Sequence, residues 1–349
     1  MTGASKVVRA RAPLRLGLAG GGTDLSPYCD AHGGAVLNVT IDRYAYAFIE
    51  AADGGTVQFL ARDLGIEERL PCQAEVIAAA RLAIHAGVYA RMMRDYCAGQ
   101  LLPLKLTTYV DAPAGSGLGS SSALVVALVE AFRTLLELPL GQYDVAHLAF
   151  EIERLDLRLA GGKQDQYASA FGGANFIEFL GNDRVIVNPL RVARAFINEL
   201  ETSLVICFTG VSRRSEVIIA EQQRRMVSPT VDSLASLHQL KTDAIDMKQA
   251  LLRGQIGQLA EILNRSWGAK KKTADGISTG EIERLHAIAM AHGALAGKVS
   301  GAGGGVFLMF IVPPQHRVAL IDALNQAGGT ASAVHFTADG AESWTVRGG

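Results

Sequence analysis

The sequence is poor in several things, and each shortage narrows what the protein can be. Four cysteines, Cys29, Cys72, Cys97 and Cys207, are spread through 349 residues, and no two have metal-ligand or redox spacing. A small disulfide-stapled scaffold is excluded, and reduced thiols in a cytoplasmic protein are expected. Excess charge is also missing: 33 Lys and Arg against 34 Asp and Glu give a formal net charge of −1. No polyanion is drawn to such a chain as a whole, so nucleic acid is not an expected partner. No run approaches the roughly 18 consecutive apolar residues of a membrane span. The opening MTGASKVVRARAPLRLG has no continuous apolar stretch, so no secretory signal is expected. The eight histidines show no metal spacing. There is no internal repeat and no low-complexity tract.

What is present is a globular composition, 49% hydrophobic and 19% charged, long enough for one large domain or two. LPLKLTTYVDAP alternates with period two and predicts a strand. SSALVVALVEAFRTLLEL predicts a largely buried helix, and QYDVAHLAFEIERLDL a second one. Helical spacing continues through AEVIAAARLAIHAGVYARMMRDYC and from Ser233 to Leu263. GGAVLNVTIDRYAYAFIEAAD, SLVICFTG and ASAVHFT read as strands. Strands and helices mix without strict βαβ alternation, which predicts an α+β fold. A soft boundary near 185–200 suggests domains at 1–190 and 191–349.

The richest segment is DAPAGSGLGSSSA, residues 111–123, where a strand ends and a helix begins. A helix start exposes unpaired N–H groups and positive partial charge. Glycines let the backbone wrap an anion there without obstruction. Gly115, Gly117 and Gly119 are therefore expected to cradle phosphate. Ser120, Ser121 and Ser122 are expected to cap the helix or offer hydroxyls to phosphate or Mg²⁺. A bare turn needs one or two glycines, not three alternating ones followed by three serines. The familiar phosphate loops do not fit. No Lys-Ser or Lys-Thr follows as a P-loop requires, and GSGLGS ends in serine where a dinucleotide fingerprint has glycine.

Three segments in order resemble one family. PAGSGLGSSSA is similar to the ATP-binding motif of the GHMP kinases, APLRLGLAGGGTDL to their first motif, and KVSGAGGGVF to their third. The resemblance implies two α+β domains with the active site in the cleft between them. Gly20-Gly21-Gly22-Thr23-Asp24, PYCDAHGGAVLNVTIDRYAY and GGKQDQYASAFGGANFIEF resemble the heptose 7-phosphate kinase group of that family. The implied reaction moves the γ-phosphoryl group of ATP to the anomeric hydroxyl of D-glycero-D-manno-heptose 7-phosphate. The 1,7-bisphosphate formed would feed GDP-heptose and surface polysaccharide synthesis. Another sugar such as L-fucose, or a sugar sensor without catalysis, stands as the alternative.

The resemblance also implies roles. Asp165 is the expected catalytic carboxylate, with Arg15 pairing with it or stabilising the transferring phosphoryl group. ATP would lie on Pro113, Gly115, Ser116, Gly117, Leu118, Gly119, Ser120, Ser121 and Ser122. Ser121 and Glu153 would hold Mg²⁺, with Glu151 close by as a competitor. Gly21, Gly22, Thr23 and Asp24 would meet the sugar, and Gly301, Ala302, Gly303 and Gly304 would shape the cleft. The acceptor's own phosphate needs cations, for which Arg213 and Lys271 are the choices, among Arg214, Lys270 and Lys272. Lys298 is expected to be structural. The expected partners are a sugar phosphate and ATP, with no membrane and with a homodimer left open.

Overall fold

The computed structural model describes residues 6–52, 54–113, 115–210, 215–227, 231–301 and 307–347. Its strands are β1 (Lys6–Ala19), β2 (Gly34–Ala51), β3 (Thr56–Ala61), β4 (Ile66–Pro71), β5 (Leu104–Val110), β6 (Ala174–Phe179), β7 (Val185–Pro189), β8 (Leu204–Phe208), β9 (Ala296–Val299), β10 (Phe307–Ile311), β11 (Thr330–Ala333) and β12 (Glu342–Arg347). Its helices are α1 (Tyr28–His32), α2 (Ala74–Ala78), α3 (Ala83–Tyr96), α4 (Ser120–Leu135), α5 (Gln142–Phe150), α6 (Gln164–Phe171), α7 (Arg194–Ser203), α8 (Ser215–Val227), α9 (Val231–Arg253), α10 (Ile256–Lys271), α11 (Gly280–Ala291) and α12 (Arg317–Gln326). Among the described residues, no helix is long and apolar enough to cross a membrane.

Two sheets organise the chain. The larger runs β12-β1-β2-β5-β3-β4, with β6 and β7 added beside the first half of β2. The smaller runs β11-β8-β10-β9 and is antiparallel throughout. Both belong to an α+β fold, as the mixed pattern predicts. The last strand, β12, pairs along Lys6–Arg11 of β1, so the chain's end returns to the first sheet. A division of the chain at 190 therefore does not follow the sheets at β12.

Local chemistry explains the departures from the sequence reading. A proline inside a strand ordinarily interrupts it, yet β1 runs through Pro13 with a register irregularity between Pro13 and Arg15. Beyond Arg11, β1 no longer pairs with β12, so proline's missing N–H costs no ladder bond on that side. The long helical region from Ser233 is two helices. It breaks at Gly254, which adopts φ +69° between α9 and α10. The helix from Gln142 gives way over Glu151–Asp156 to a wider π-helical turn, closed by Leu157 N donating to Ile152 O.

α4 is the central helix, and eleven of its residues are buried against the first sheet and its neighbours. Its apolar density follows from that: there is no solvent face for most of its length. The main core extends from β1, β2 and α4 to Leu204, Ile206, Met309 and Ile311 of the second sheet. The two sheets are thus packed into one apolar body, which fixes the glycine segments between them.

Candidate active site

The glycine segments line a single cavity of about 600 Å³, a size suited to small-molecule ligands. Gly119 precedes α4 in the left-handed region, φ +76°, and as the N-cap residue it has no side chain to offer. The serines were expected to cap α4 or offer hydroxyls to phosphate or Mg²⁺, and two of their hydroxyls bond Glu153 instead of capping the helix. Ser121 Oγ donates to Glu153 Oε1 at 2.8 Å, and Ser122 Oγ to Glu153 Oε2 at 2.7 Å. The first turn of α4 thus faces the cavity without a side-chain cap, as an anion site should.

The loop is fastened to β1. Arg15 N donates to Leu118 O at 3.0 Å, and Arg15 Nη1 to Gly117 O at 2.6 Å. The rest of the guanidinium grips Asp165: Nε donates to Oδ1 at 2.8 Å, and Nη2 lies 2.7 Å from the same oxygen. Arg15 is almost fully buried, whereas the Asp165 side chain keeps 20% exposure toward the cavity. Asp165 stands in the first turn of α6, where exposed N–H groups favour a carboxylate. Gly301, φ +80°, closes the site from the second sheet. A Cβ there would lie 2.7 Å from Gly117 O, so Gly301 rests directly on the loop before α4.

Glu153 is 2% exposed and bound on both oxygens. Besides the two serines it accepts from Gln166 Nε2 at 2.6 Å and lies 3.1 Å from Arg154 Nη1. Glu151 instead pairs with Arg91 at 2.5 Å. The carboxylate of Glu153 and the hydroxyl of Ser121 both line the cavity, and this hard-oxygen donor set fits Mg²⁺. A magnesium ion needs few protein ligands when phosphate oxygens complete its shell.

Asp24 forms the opposite wall. Its Oδ1 accepts from Gly22 N and from Gln164 Nε2, each at 3.0 Å, and its Oδ2 from Gln164 N at 3.2 Å. A side chain at Gly162 would strike Asp24 Oδ2 at 1.8 Å, which accounts for the glycine there. Thr23 departs from expectation. It is fully buried, and its hydroxyl lies 2.8 Å from Gly20 O and 2.9 Å from Ala35 O while accepting from Ala35 N. It braces the loop to β2 rather than facing a ligand.

Among the expected residues, Arg15, Gly21, Gly22, Asp24, Gly115, Gly117, Gly119, Ser120, Ser121, Ser122, Glu153, Asp165 and Gly301 line the cavity together. Ser116 and Leu118 are buried in the loop's support, and Pro113 is exposed. Arg213, Arg214, Ala302, Gly303 and Gly304 lie outside the described residues.

Lys271 is a correction. It sits outside the cavity, 3.3 Å from Glu283 and over the Trp267 ring. Its neighbour Lys270 lines the cavity instead, 5% exposed, with Nζ donating to Gly21 O at 2.9 Å. Burial pushes the Lys270 ammonium down to about 8, Arg15 adding to the fall and Asp24 opposing it. Lys298 is structural, as expected: its Nζ donates to Gly17 O at 2.7 Å and Leu18 O at 3.3 Å. Burial takes it to about 7, helped by the charge on Lys270. The sequence reading also missed Gln164, Gln222 and Arg154 on the cavity wall. The helical period of α10 was the available signal for Lys270: Leu259, Leu263 and Ser266 mark a buried stripe that Lys270 continues.

The chain matches the family model for the GHMP kinases N terminal domain over residues 81–173. It matches that for GHMP kinases C terminal over 247–330. It is 43% identical to a D-glycero-alpha-D-manno-heptose 7-phosphate kinase of Campylobacter jejuni, over 98% of this chain and 100% of that protein. The chain belongs to the GHMP kinases. Among solved structures it resembles a D-glycero-D-manno-heptose 1-phosphate kinase from Bacteroides thetaiotaomicron, with TM-score 0.82 and 44% identity over 97% of this chain and 99% of that one. Galactokinase of Lactococcus lactis shares the fold, with TM-score 0.75 at 19% identity over 96% and 95% of the two chains. As a GHMP kinase, this enzyme is a phosphotransferase acting on a hydroxyl acceptor.

Proposed function

We propose that this enzyme transfers the γ-phosphoryl group of ATP to the anomeric hydroxyl of D-glycero-D-manno-heptose 7-phosphate, giving the 1,7-bisphosphate. One observation carries the reaction. Arg15 joins the glycine loop, through Gly117 O, to Asp165. Donor site and acceptor carboxylate are therefore one hydrogen-bonded unit. The acceptor's identity follows the heptose 7-phosphate kinase to which the chain is 43% identical.

The division of labour follows from the chemistry. The uncapped first turn of α4 and the glycine N–H groups receive the ATP phosphates. Beyond the loop, Leu82, Ile84, Val110 and Leu124 give the cavity an apolar wall that suits a purine face. Ser121 and Glu153 would hold Mg²⁺, which would supply charge to offset the phosphoryl oxygens. Asp165 orients the anomeric hydroxyl and takes its proton as the O–P bond forms. Arg15 keeps that carboxylate in place, and its guanidinium charge also favours the developing negative charge. Asp24 and Gln164 receive sugar hydroxyls on the facing wall. The bond from the γ-phosphorus to the bridging oxygen breaks, and ADP leaves.

The test is initial-rate ADP release with Mg²⁺-ATP against heptose 7-phosphate, free heptose, mannose 6-phosphate, L-fucose and galactose. Strong preference for the heptose phosphate is expected. Turnover restricted to a free sugar would overturn the acceptor. ATP binding without turnover on any of them would overturn the reaction.

A further inference from the structure

We propose that Lys270 is the residue that grips the distal phosphate of the acceptor sugar and so makes the enzyme demand a phosphorylated substrate. The inference deepens the reading above and rests on it for the acceptor's identity.

Four observations lead to Lys270. The first is position. The last turn of α10 delivers the side chain into the cavity beside Gly21, Gly22, Asp24 and Gln222. The second is valence. An ammonium has three donors. Among the described residues only Gly21 O, at 2.9 Å, accepts from this one, and no carboxylate lies within 4.0 Å. Two donors remain for a ligand.

The third is charge. Arg15 and Lys298 both repel Lys270, and Asp24 is the acidic group acting on it. Yet both oxygens of Asp24 are already bound by Gly22 and Gln164. A buried cation without a close counter-ion is costly, and an anionic ligand removes that cost. The fourth is arrangement. A Cβ added at Gly119 would lie 3.4 Å from Asp165 Cγ and 3.5 Å from Arg15 Cγ; Gln164, beside Asp165 on α6, donates to Asp24 Oδ1; and Lys270 Nζ donates to Gly21 O. The cavity thus runs from a glycine loop, past the reacting carboxylate, to an ammonium. A molecule with its reacting hydroxyl at one end and a phosphate at the other spans that course.

The lysine is held in readiness. Thr273 Oγ1 donates to Lys270 O at 2.9 Å and accepts from Gln222 Nε2 at 2.8 Å, tying α8 to the end of α10. Gln222 is 1% exposed and shares the cavity wall. Lys298, by contrast, spends its donors on β1 and does not reach the main cavity. Lys271 is committed to Glu283.

The test compares wild type, Lys270→Gln and Lys270→Arg on heptose 7-phosphate and on free heptose, with KM for ATP measured alongside. A lost charge-assisted phosphate contact weakens binding by about tenfold to a hundredfold. Lys270→Gln should raise KM for the sugar phosphate by that factor, with kcat changed far less. The preference for phosphorylated over free heptose should collapse, and Lys270→Arg should recover part of it. Equal losses on both acceptors, or a loss confined to kcat, would overturn the assignment and place Lys270 at the transferring phosphoryl group. Wild type with no preference for the phosphorylated sugar would instead refute the acceptor itself. A second measurement uses wild type alone. Acetylation of Lys270, followed by mass spectrometry, should be slowed by heptose 7-phosphate and much less by free heptose. Equal protection by both would contradict the proposal.

Discussion

Replacing Gly301 by alanine tests whether the two glycine segments must touch for the site to work. Gly301 has φ +80°, a conformation that costs an L-residue roughly 1–2 kcal/mol. Its new Cβ would also run into the backbone of Gly117: O at 2.7 Å, Cα at 2.8 Å and C at 3.2 Å. Backbone cannot swing aside as a side chain does, so the loops must part by several tenths of an ångström. Overpacking of that kind costs roughly 1–3 kcal/mol more. The sum, about 2–5 kcal/mol, predicts a melting temperature lowered by roughly 3–7 °C in a chain of this size. Function should suffer beyond stability. Gly117 O is also the acceptor for Arg15 Nη1, so a displaced loop disturbs the group that holds Asp165. Misplacement by a fraction of an ångström here should lower kcat by about ten- to a hundredfold. Gly65→Ala is the control, since Gly65 has φ +64° and nothing within 4 Å of its added Cβ. It should show the conformational cost alone and unchanged kcat. Calorimetry and saturating-substrate kinetics measure both quantities. Gly301→Ala matching Gly65→Ala in both would refute the reasoning.

Other perturbations separate the remaining roles. Asp165→Asn should lower kcat by about 10²–10⁴-fold while circular dichroism stays native, and near-normal turnover would remove Asp165 from proton transfer. Ser121→Ala should raise the Mg²⁺ concentration needed for half-maximal rate; an unchanged Mg²⁺ titration would count against Ser121 as a ligand. Thr23→Val should destabilise the fold by about 1–3 kcal/mol in denaturant titration, because Ala35 N loses its acceptor, with KM for the sugar affected only secondarily. Lys298→Met should flatten part of the pH dependence of stability. Lys298 is depressed to about 7 in the folded protein, while the unfolded chain keeps it protonated up to about 10.4. Between those values the unfolded state holds the extra proton, so wild-type stability gains from this group as pH rises. Wild type should gain stability relative to Lys298→Met as pH rises across that window, and a constant difference would show that the Lys298 ammonium is not depressed by burial.

Much of the site was legible because its devices are local. Alternating glycines before a helix, and the glycine pair before Lys163-Gln164-Asp165, announce close approaches within a few residues of sequence. Arg15, Asp165 and Glu153 came from motif likeness, and the structure brings all three to one cavity. What failed depends on neighbours distant in sequence or on the angle around a helix. Thr23 resembles a ligand-binding residue until Ala35, twelve residues on, is seen to absorb its hydroxyl. Lys270 and Lys271 are adjacent in a charged run, yet about 100° of helical turn separates a buried stripe from a surface pair with Glu283. The placement of β12 beside β1 joins residues more than three hundred positions apart and leaves no local mark. The unbroken course of β1 through Pro13 likewise depended on which strand would be missing beside it.

The central claim is that the cavity phosphorylates an anomeric hydroxyl at the end opposite an existing phosphate. ³¹P NMR of the product from enzyme, Mg²⁺-ATP and D-glycero-D-manno-heptose 7-phosphate tests it most directly. The account predicts a new phosphate resonance coupled to the anomeric proton, equal in amount to the ADP formed, with the 7-phosphate resonance retained. ADP formation with inorganic phosphate alone, or a new resonance coupled to any other sugar proton, would contradict it.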